Sequence, residues 1–312
     1  MTKYMPMKNK ISFVWQGISN PKIREHWKDG LYAAMKLLEN EYDVEYCEPW
    51  DELHGDVILY WEAPCTINGK DAHHYMNVMS NPKKKILLFA GGPIKKEWVK
   101  DFELVCVESK VNLEEFQKLG IPVMTAFGIN DEIFKYKPMN KIYDGIHHGT
   151  CASWKRQELV GEALGDKALI VGRKQETDAM PFEVAERFGA LVIPEQPYEK
   201  VVDLLNQSRV MVQTANEWGG GQRATLEAMA CGLPVVCMTD SPKNREYVEE
   251  SGWGIVSEPT KQSIFESVEQ MKQMANIARI NNPGIEYVKS KWTSRHYAEA
   301  LKDAIEKVCV TQ

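Results

Sequence analysis

Short apolar runs alternate with amphipathic stretches along this chain, and the pattern occurs twice. Residues 11–15 (ISFVW), 43–46, 56–60 (DVILY), 85–90 (KILLFA), 103–107 (ELVCV) and 123–127 read as strands. A continuous apolar run between polar turns suits a strand buried on both faces, as in a parallel sheet covered by helices. Helical spacing appears between these runs. Trp27, Leu31, Ala34, Met35 and Leu38 share a face over residues 23–38, and a second helix is expected over 113–119. The pattern then restarts. Strands are expected over 143–147, 168–171, 191–193, 210–213, 235–238 and 254–256. Helices are expected over 157–164, 184–188, 198–206, 224–230, 244–250, 262–275 and 294–308. The expected class is therefore α/β, with two units and a boundary near residues 138–141. Two such units side by side would leave a cleft between the carboxyl ends of their strands, where ligands bind.

Composition narrows the function. The 312 residues suffice for two domains of ordinary size. A net charge of −6 gives no support for a surface that coats nucleic acid. The seven cysteines, at 47, 65, 106, 151, 231, 237 and 309, are odd in number and form no C-x-x-C pair, so reduced thiols are expected. The opening MTKYMPMKNK has no apolar core and does not read as a signal peptide. No run approaches the roughly 18 apolar residues of a membrane helix. These features predict a cytoplasmic protein with no integral membrane segment.

One stretch carries most of the chemistry: residues 217–234, EWGGGQRATLEAMACGLP. Gly219, Gly220 and Gly221 lack a Cβ, so a ligand can approach bare backbone. A helix over 224–230 follows, stopped by Gly232 and Pro234. A glycine loop feeding a helix N-terminus offers free N–H groups and a positive dipole end, which suits phosphate. Glu227, one turn further in, reads as an exposed carboxylate that accepts hydrogen bonds from sugar hydroxyls. The plainer reading is a tight turn followed by a solvated glutamate. Elsewhere, His73-His74 and His147-His148 are adjacent pairs. Neighbours in a strand point to opposite faces, so neither pair is expected to hold a metal. His147 or His148, at a strand end, is a candidate ligand contact. Trp15, Trp61 and Trp218 are candidates for stacking on a sugar or base, with ordinary packing the alternative.

Three stretches together resemble one family. They are GIPVMTAFGINDEIFKYKP (residues 120–138), LVCVESKVNLEEFQKLGIP (104–122), and TLEAMACGLPVV with its continuation TDSPKNREYVEESGWGIVSEP (225–259). They are similar to the retaining glycosyltransferases of GT-B fold in the "glycosyl transferases group 1" class. The resemblance implies two Rossmann-like domains facing across a cleft. Residues 1–139 would bind the acceptor and 140–290 a nucleotide diphosphate sugar, with a helix over 291–312 packing back on the first domain. Glu227 would grip the donor ribose. Lys155, six residues after Gly149, would sit on the diphosphate. Gly219, Gly220 and Gly221, with the N–H groups of Gln222 and Arg223, would face phosphate and sugar.

The implied catalytic set is Lys155, Arg223 and Glu217. Thr150, Arg156, Gly172, Arg173 and Thr225 join the donor side, and Gly17, Glu62, Gly91 and Gly92 the acceptor side. The sequence departs from the family in three places. The first of the family's two glutamates falls on Gly219, and Glu217 lies two residues earlier; either a longer loop brings Glu217 into place or that contact is absent. Gly149-Thr150 stands where the family has Gly-Arg, leaving Arg156, Arg173 or Arg223 to supply the charge. Gly91-Gly92 stands where a His often occurs.

The implied reaction is transfer of a sugar, with retention, from a UDP- or GDP-type donor. The resemblance implies no cofactor beyond that co-substrate and no metal, in keeping with the absence of a D-x-D pair. The leaving phosphate itself would take the acceptor proton, so no dedicated protein nucleophile is needed. The acceptor is left open between a saccharide, a small molecule and a modified DNA base. A nucleotide-sugar epimerase and a nucleotide-sugar-binding protein without catalysis remain the alternatives.

Overall fold

The computed structural model describes residues 9–21, 27–63, 76–92, 94–174, 178–218, 222–275 and 282–310. Gly219, Gly220 and Gly221 therefore lie outside the described residues, as do Cys65, His73 and His74. The chain divides into two compact units, residues 1–128 with 294–312, and residues 129–293.

The first unit holds a parallel six-stranded sheet in the order β2-β1-β3-β4-β5-β6. Its strands are β1 (Lys10–Val14), β2 (Asp43–Cys47), β3 (Val57–Glu62), β4 (Lys84–Phe89), β5 (Leu104–Val107) and β6 (Val123–Thr125). Val14, Ile58, Tyr60, Leu87, Phe89, Val105 and Phe116 form its core. The helix expected over 23–38 is seen only from Gly30 to Leu38. The Asp29 carboxylate accepts from the Tyr32 N–H at 3.0 Å and so starts the helix there. Trp27 precedes it and packs instead between Phe13, Trp15 and Trp61. The final helix, Ser294–Val310, belongs to this unit and packs on the helix Gly30–Leu38 and on β4 and β5.

The second unit holds a parallel six-stranded sheet in the order β12-β11-β10-β7-β8-β9. Its strands are β7 (Tyr143–His148), β8 (Ala168–Gly172), β9 (Leu191–Pro194), β10 (Ser208–Gln213), β11 (Val235–Met238) and β12 (Gly254–Ser257). Every residue of β8 and β11 is buried, as expected of strands with helices on both faces. Ile170, Val210, Val212, Val236, Met238 and Ile264 are central to the core. The order reverses between β7 and β10. Such a switch point opens a crevice beyond the carboxyl ends of the strands.

The boundary expected at 139/140 falls inside this second unit. Asn206, fully buried, explains why. Its side chain accepts from the Lys137 N–H at 2.7 Å and donates to the Lys135 carbonyl at 3.0 Å. Ile129 also donates to the Trp292 carbonyl at 2.8 Å. These bonds stitch residues 129–137 to the second sheet's own helices. A helix at Pro283–Lys291 was not expected from periodicity. Asn282 caps it, accepting from the N–H groups of Gly284 and Ile285, and Pro283 sits in the first turn.

Candidate functional site

A cavity of about 270 Å³ opens at the carboxyl ends of β7, β8 and β9 in the second unit. His148, Gly149, Thr150 and Lys155 line one side, Gly172 and Arg173 the next, and Glu195, Gln196 and Tyr198 the far side. Arg223, Ala224 and Glu227 close it from the helix Gln222–Ala230.

The segment after β7 builds the first wall. The Gly149 N–H donates to the Val171 carbonyl and the Cys151 N–H to the Arg173 carbonyl, both at 2.9 Å, which extends the β7–β8 pairing. Gly172 is dictated by this approach: a Cβ there would lie 1.9 Å from the Gly149 carbonyl oxygen. A single turn, Ser153–Lys155, then brings the Lys155 side chain back over Gly149. The Thr214 hydroxyl donates to the Lys155 carbonyl at 2.6 Å and anchors that turn to the end of β10. Burial pushes the Lys155 ammonium down to about 8; the Arg173 charge adds to the fall, and the Cys151 sulfur opposes it.

His147 and His148 point to opposite sides of β7. His147 is fully buried, and its Nδ1 meets the Val212 carbonyl at 2.9 Å. Burial, then the nearby Lys155 charge, pushes its pKa down to about 3, against the pull of Val212. The ring is therefore neutral, with its proton on Nδ1 facing Val212. His148 faces the cavity, and its Nε2 lies 2.8 Å from Glu227 Oε2.

Glu227 is not the exposed residue expected. It is 1% exposed, because every residue of its helix except Arg223 is buried. One carboxylate oxygen meets His148; the other, Oε1, has no hydrogen-bond partner among the described residues. A buried carboxylate oxygen without a partner is costly, and in a cavity wall it marks a place for a ligand's donor.

The structure does not bring every expected residue to the cavity. Arg156, expected on the donor side, forks onto Asp240 at 2.7 and 2.8 Å and donates from Nε to the Thr214 carbonyl at 2.8 Å. That set of bonds holds its one left-handed backbone conformation (φ 50°) and leaves the guanidinium outside the cavity. Thr225 is buried and donates to Asn244 at 2.8 Å, toward the helix Pro242–Ser251. Glu217 and Trp218 are exposed on the turn after β10 and do not line the cavity. Gln222 opens its helix and is itself buried.

In the first unit, the Gly17 N–H donates to the buried Glu48 carboxylate at 2.7 Å, fixing the turn after β1. Glu62 ends β3 and accepts from the Ala63 N–H at 2.8 Å. Gly91 and Gly92 both take positive φ after β4. Trp15 and Trp61 pack on each other with ring centres 4.7 Å apart. Sequence reasoning passed over Glu195, Gln196 and Tyr198. Their only signal was position, immediately beyond the carboxyl end of a parallel strand.

A lysine on the turn after β7 and a carboxylate on the helix Gln222–Ala230 thus line one cavity beyond the carboxyl ends of the strands, where Rossmann-like units bind their ligands. Residues 153–280 match the family described as "Glycosyl transferases group 1". That match lies within the second unit, and the fold of the chain is the GT-B fold. No curated protein sequence matches the chain. Among solved structures it is similar to a sucrose-phosphate synthase from Thermosynechococcus elongatus, with a TM-score of 0.73, 12% identity, and coverage of 98% of this chain and 100% of that one. It is similar also to the Anabaena protein HepE in complex with UDP and glucose, with a TM-score of 0.69, 14% identity, and coverage of 96% and 100%. AviGT4, a glycosyltransferase involved in avilamycin A biosynthesis, gives a TM-score of 0.66 at 14% identity, with coverage of 97% and 98%. At these identities the likeness is one of fold.

Proposed function

We propose that the protein transfers a sugar, with retention of configuration, from a UDP-type nucleotide sugar to a hydroxyl-bearing acceptor. The observation that carries the reading is the presence in one cavity of the Lys155 ammonium beside Gly149 and of Glu227 Oε1, which has no partner among the described residues. An ammonium suits a diphosphate, and a buried carboxylate oxygen suits the vicinal hydroxyls of a ribose. The complexes of the Anabaena protein with UDP support a uridine donor.

Breaking the sugar–phosphate bond builds negative charge on the leaving diphosphate. Fixed cations in a site of low dielectric are the main means of stabilising it. Lys155 and Arg173 line the cavity on one side and Arg223 on the other, at the start of the helix Gln222–Ala230. The helix N-terminus adds its dipole. The departing phosphate oxygen takes the acceptor's hydroxyl proton as the new glycosidic bond forms.

Incubation with a panel of UDP- and GDP-sugars, reading nucleotide release and transfer to saccharide acceptors, tests this. Nucleotide release from a UDP-sugar, abolished in Lys155→Met, is expected. No nucleotide-dependent melting shift and no release with any donor would overturn it.

A further inference from the structure

We infer that His148 is a positioning residue that sets the selectivity of the donor site for ribose over deoxyribose. The inference rests on the reading of the cavity as a nucleotide-sugar site and goes beyond it, from the carboxylate to the residue that holds it.

Glu227 sits on a helix and His148 at the end of β7, and the two side chains meet at 2.8 Å. His148 is the carboxylate's hydrogen-bond partner, and it engages only Oε2. Oε1, buried and without a partner among the described residues, remains the acceptor that a ligand can use. With its proton on Nε2, the imidazole donates to Oε2 and fixes both the rotation of the carboxylate and the direction in which Oε1 presents its lone pairs. The ring is placed in turn by strand pairing, since His148 lies opposite Val171 of β8. Both residues line the cavity.

Removing the imidazole leaves a buried carboxylate that is free to turn. Its ability to accept from two adjacent hydroxyls in fixed geometry is then lost. The diphosphate contacts, which belong to Lys155 on the neighbouring turn, are untouched. The effect therefore falls on how well a 2′- or 3′-hydroxyl is read, not on anion binding.

The test is calorimetry with UDP, 2′-deoxy-UDP and 3′-deoxy-UDP on the wild type and on His148→Leu, His148→Asn and His148→Gln. Wild type is expected to prefer UDP over both deoxy forms. His148→Leu and His148→Asn, the second polar but too short to reach Glu227, are expected to cut that preference about tenfold, the worth of a charge-assisted hydrogen bond. Their affinity for the deoxy forms is expected to stay within about threefold of wild type by the same bookkeeping. His148→Gln, which keeps a donor within reach, is expected to restore most of the preference. Should either shortened or apolar variant keep the full preference, or lose affinity equally for all three nucleotides, the inference fails while the nucleotide-sugar reading stands. Absence of UDP binding in the wild type would overturn both. One folded variant of the two is enough to decide.

Discussion

The Lys155 ammonium lies 2.9 Å from the position a Cβ would take on Gly149. Gly149 also has φ +149°, a conformation that L side chains rarely adopt. The backbone conformation disfavours any side chain here, and a Cβ would also displace the flexible end of Lys155. Gly149→Ala is expected to push Lys155 aside and strain the turn, at a cost of about 1–3 kcal/mol. The expected result is a lower melting temperature together with at least tenfold weaker UDP binding. Wild-type affinity in a folded Gly149→Ala protein would show that Lys155 is not aimed at the ligand from this turn.

Nucleotide binding should depend on pH through Lys155. Burial holds its ammonium at about 8, well below the ordinary lysine value. A diphosphate binds the charged form, so affinity is fully present below pH 8 and falls above it. The fall approaches tenfold per unit, the limit for one proton. Binding at pH 9 should take up a proton, so the measured heat will differ between buffers of different ionisation enthalpy. Lys155→Met should bind more weakly and lose the dependence. For the empty protein the sign is opposite. Between pH 8 and 10.5 the unfolded chain holds a proton that the folded Lys155 has released, so this group's contribution to stability grows as pH rises.

Arg156 and Asp240 test a separation of roles. The fork between them, with the Arg156 Nε bond to Thr214, ties the turn after β7 to the segment after β11. Asp240 is 43% exposed, so the pair is partly screened. Arg156→Ala is expected to cost about 1–2 kcal/mol of stability, mostly from the unpaired Thr214 carbonyl and the left-handed backbone left without its clamp. UDP affinity should remain within about twofold, less than half a kcal/mol. A chemical denaturation curve beside a binding isotherm distinguishes this from a direct role on the diphosphate.

The α/β alternation was legible because strand burial on both faces writes itself as unbroken apolar runs such as ALIV and PVVC. The resemblance singled out Lys155 and Glu227, and both line the cavity. What escaped depended on partners far along the chain. Glu227 pairs with a histidine 79 positions away, and Arg156 with an aspartate 84 positions away. No local pattern distinguishes a buried, paired glutamate from an exposed one on the same helix. Glu195 and Gln196 were missed because a polar loop after a strand looks alike whether or not it lines a cavity. The helix Pro283–Lys291 was overlooked despite its Asn-Pro start, because its periodicity over nine residues is weak. The fold boundary moved from 139/140 to 128/129 because buried Asn206 claims the connecting segment for the second sheet, a contact with no signature in either stretch alone.

His147 gives the clearest dependence of stability on acid. Its ring is buried and neutral, with a pKa of about 3 against an ordinary value of 6.5. As pH falls through 6.5 the unfolded chain takes up a proton on this histidine and the folded chain does not. Stability is therefore intact above 6.5 and is lost progressively below it, down to about 3. The slope from this one residue reaches about 1.4 kcal/mol per pH unit. Other groups titrate across the lower part of that range, so the diagnostic window is pH 5 to 6.5. His147→Asn keeps a donor near the Nδ1 position for the Val212 carbonyl without a titrating ring. Its denaturation free energy should change by about 1.6 kcal/mol less than the wild type's between those two pH values. Equal slopes in the two proteins would mean that His147 takes up its proton in the folded state, and so reaches solvent from its place beneath Lys155.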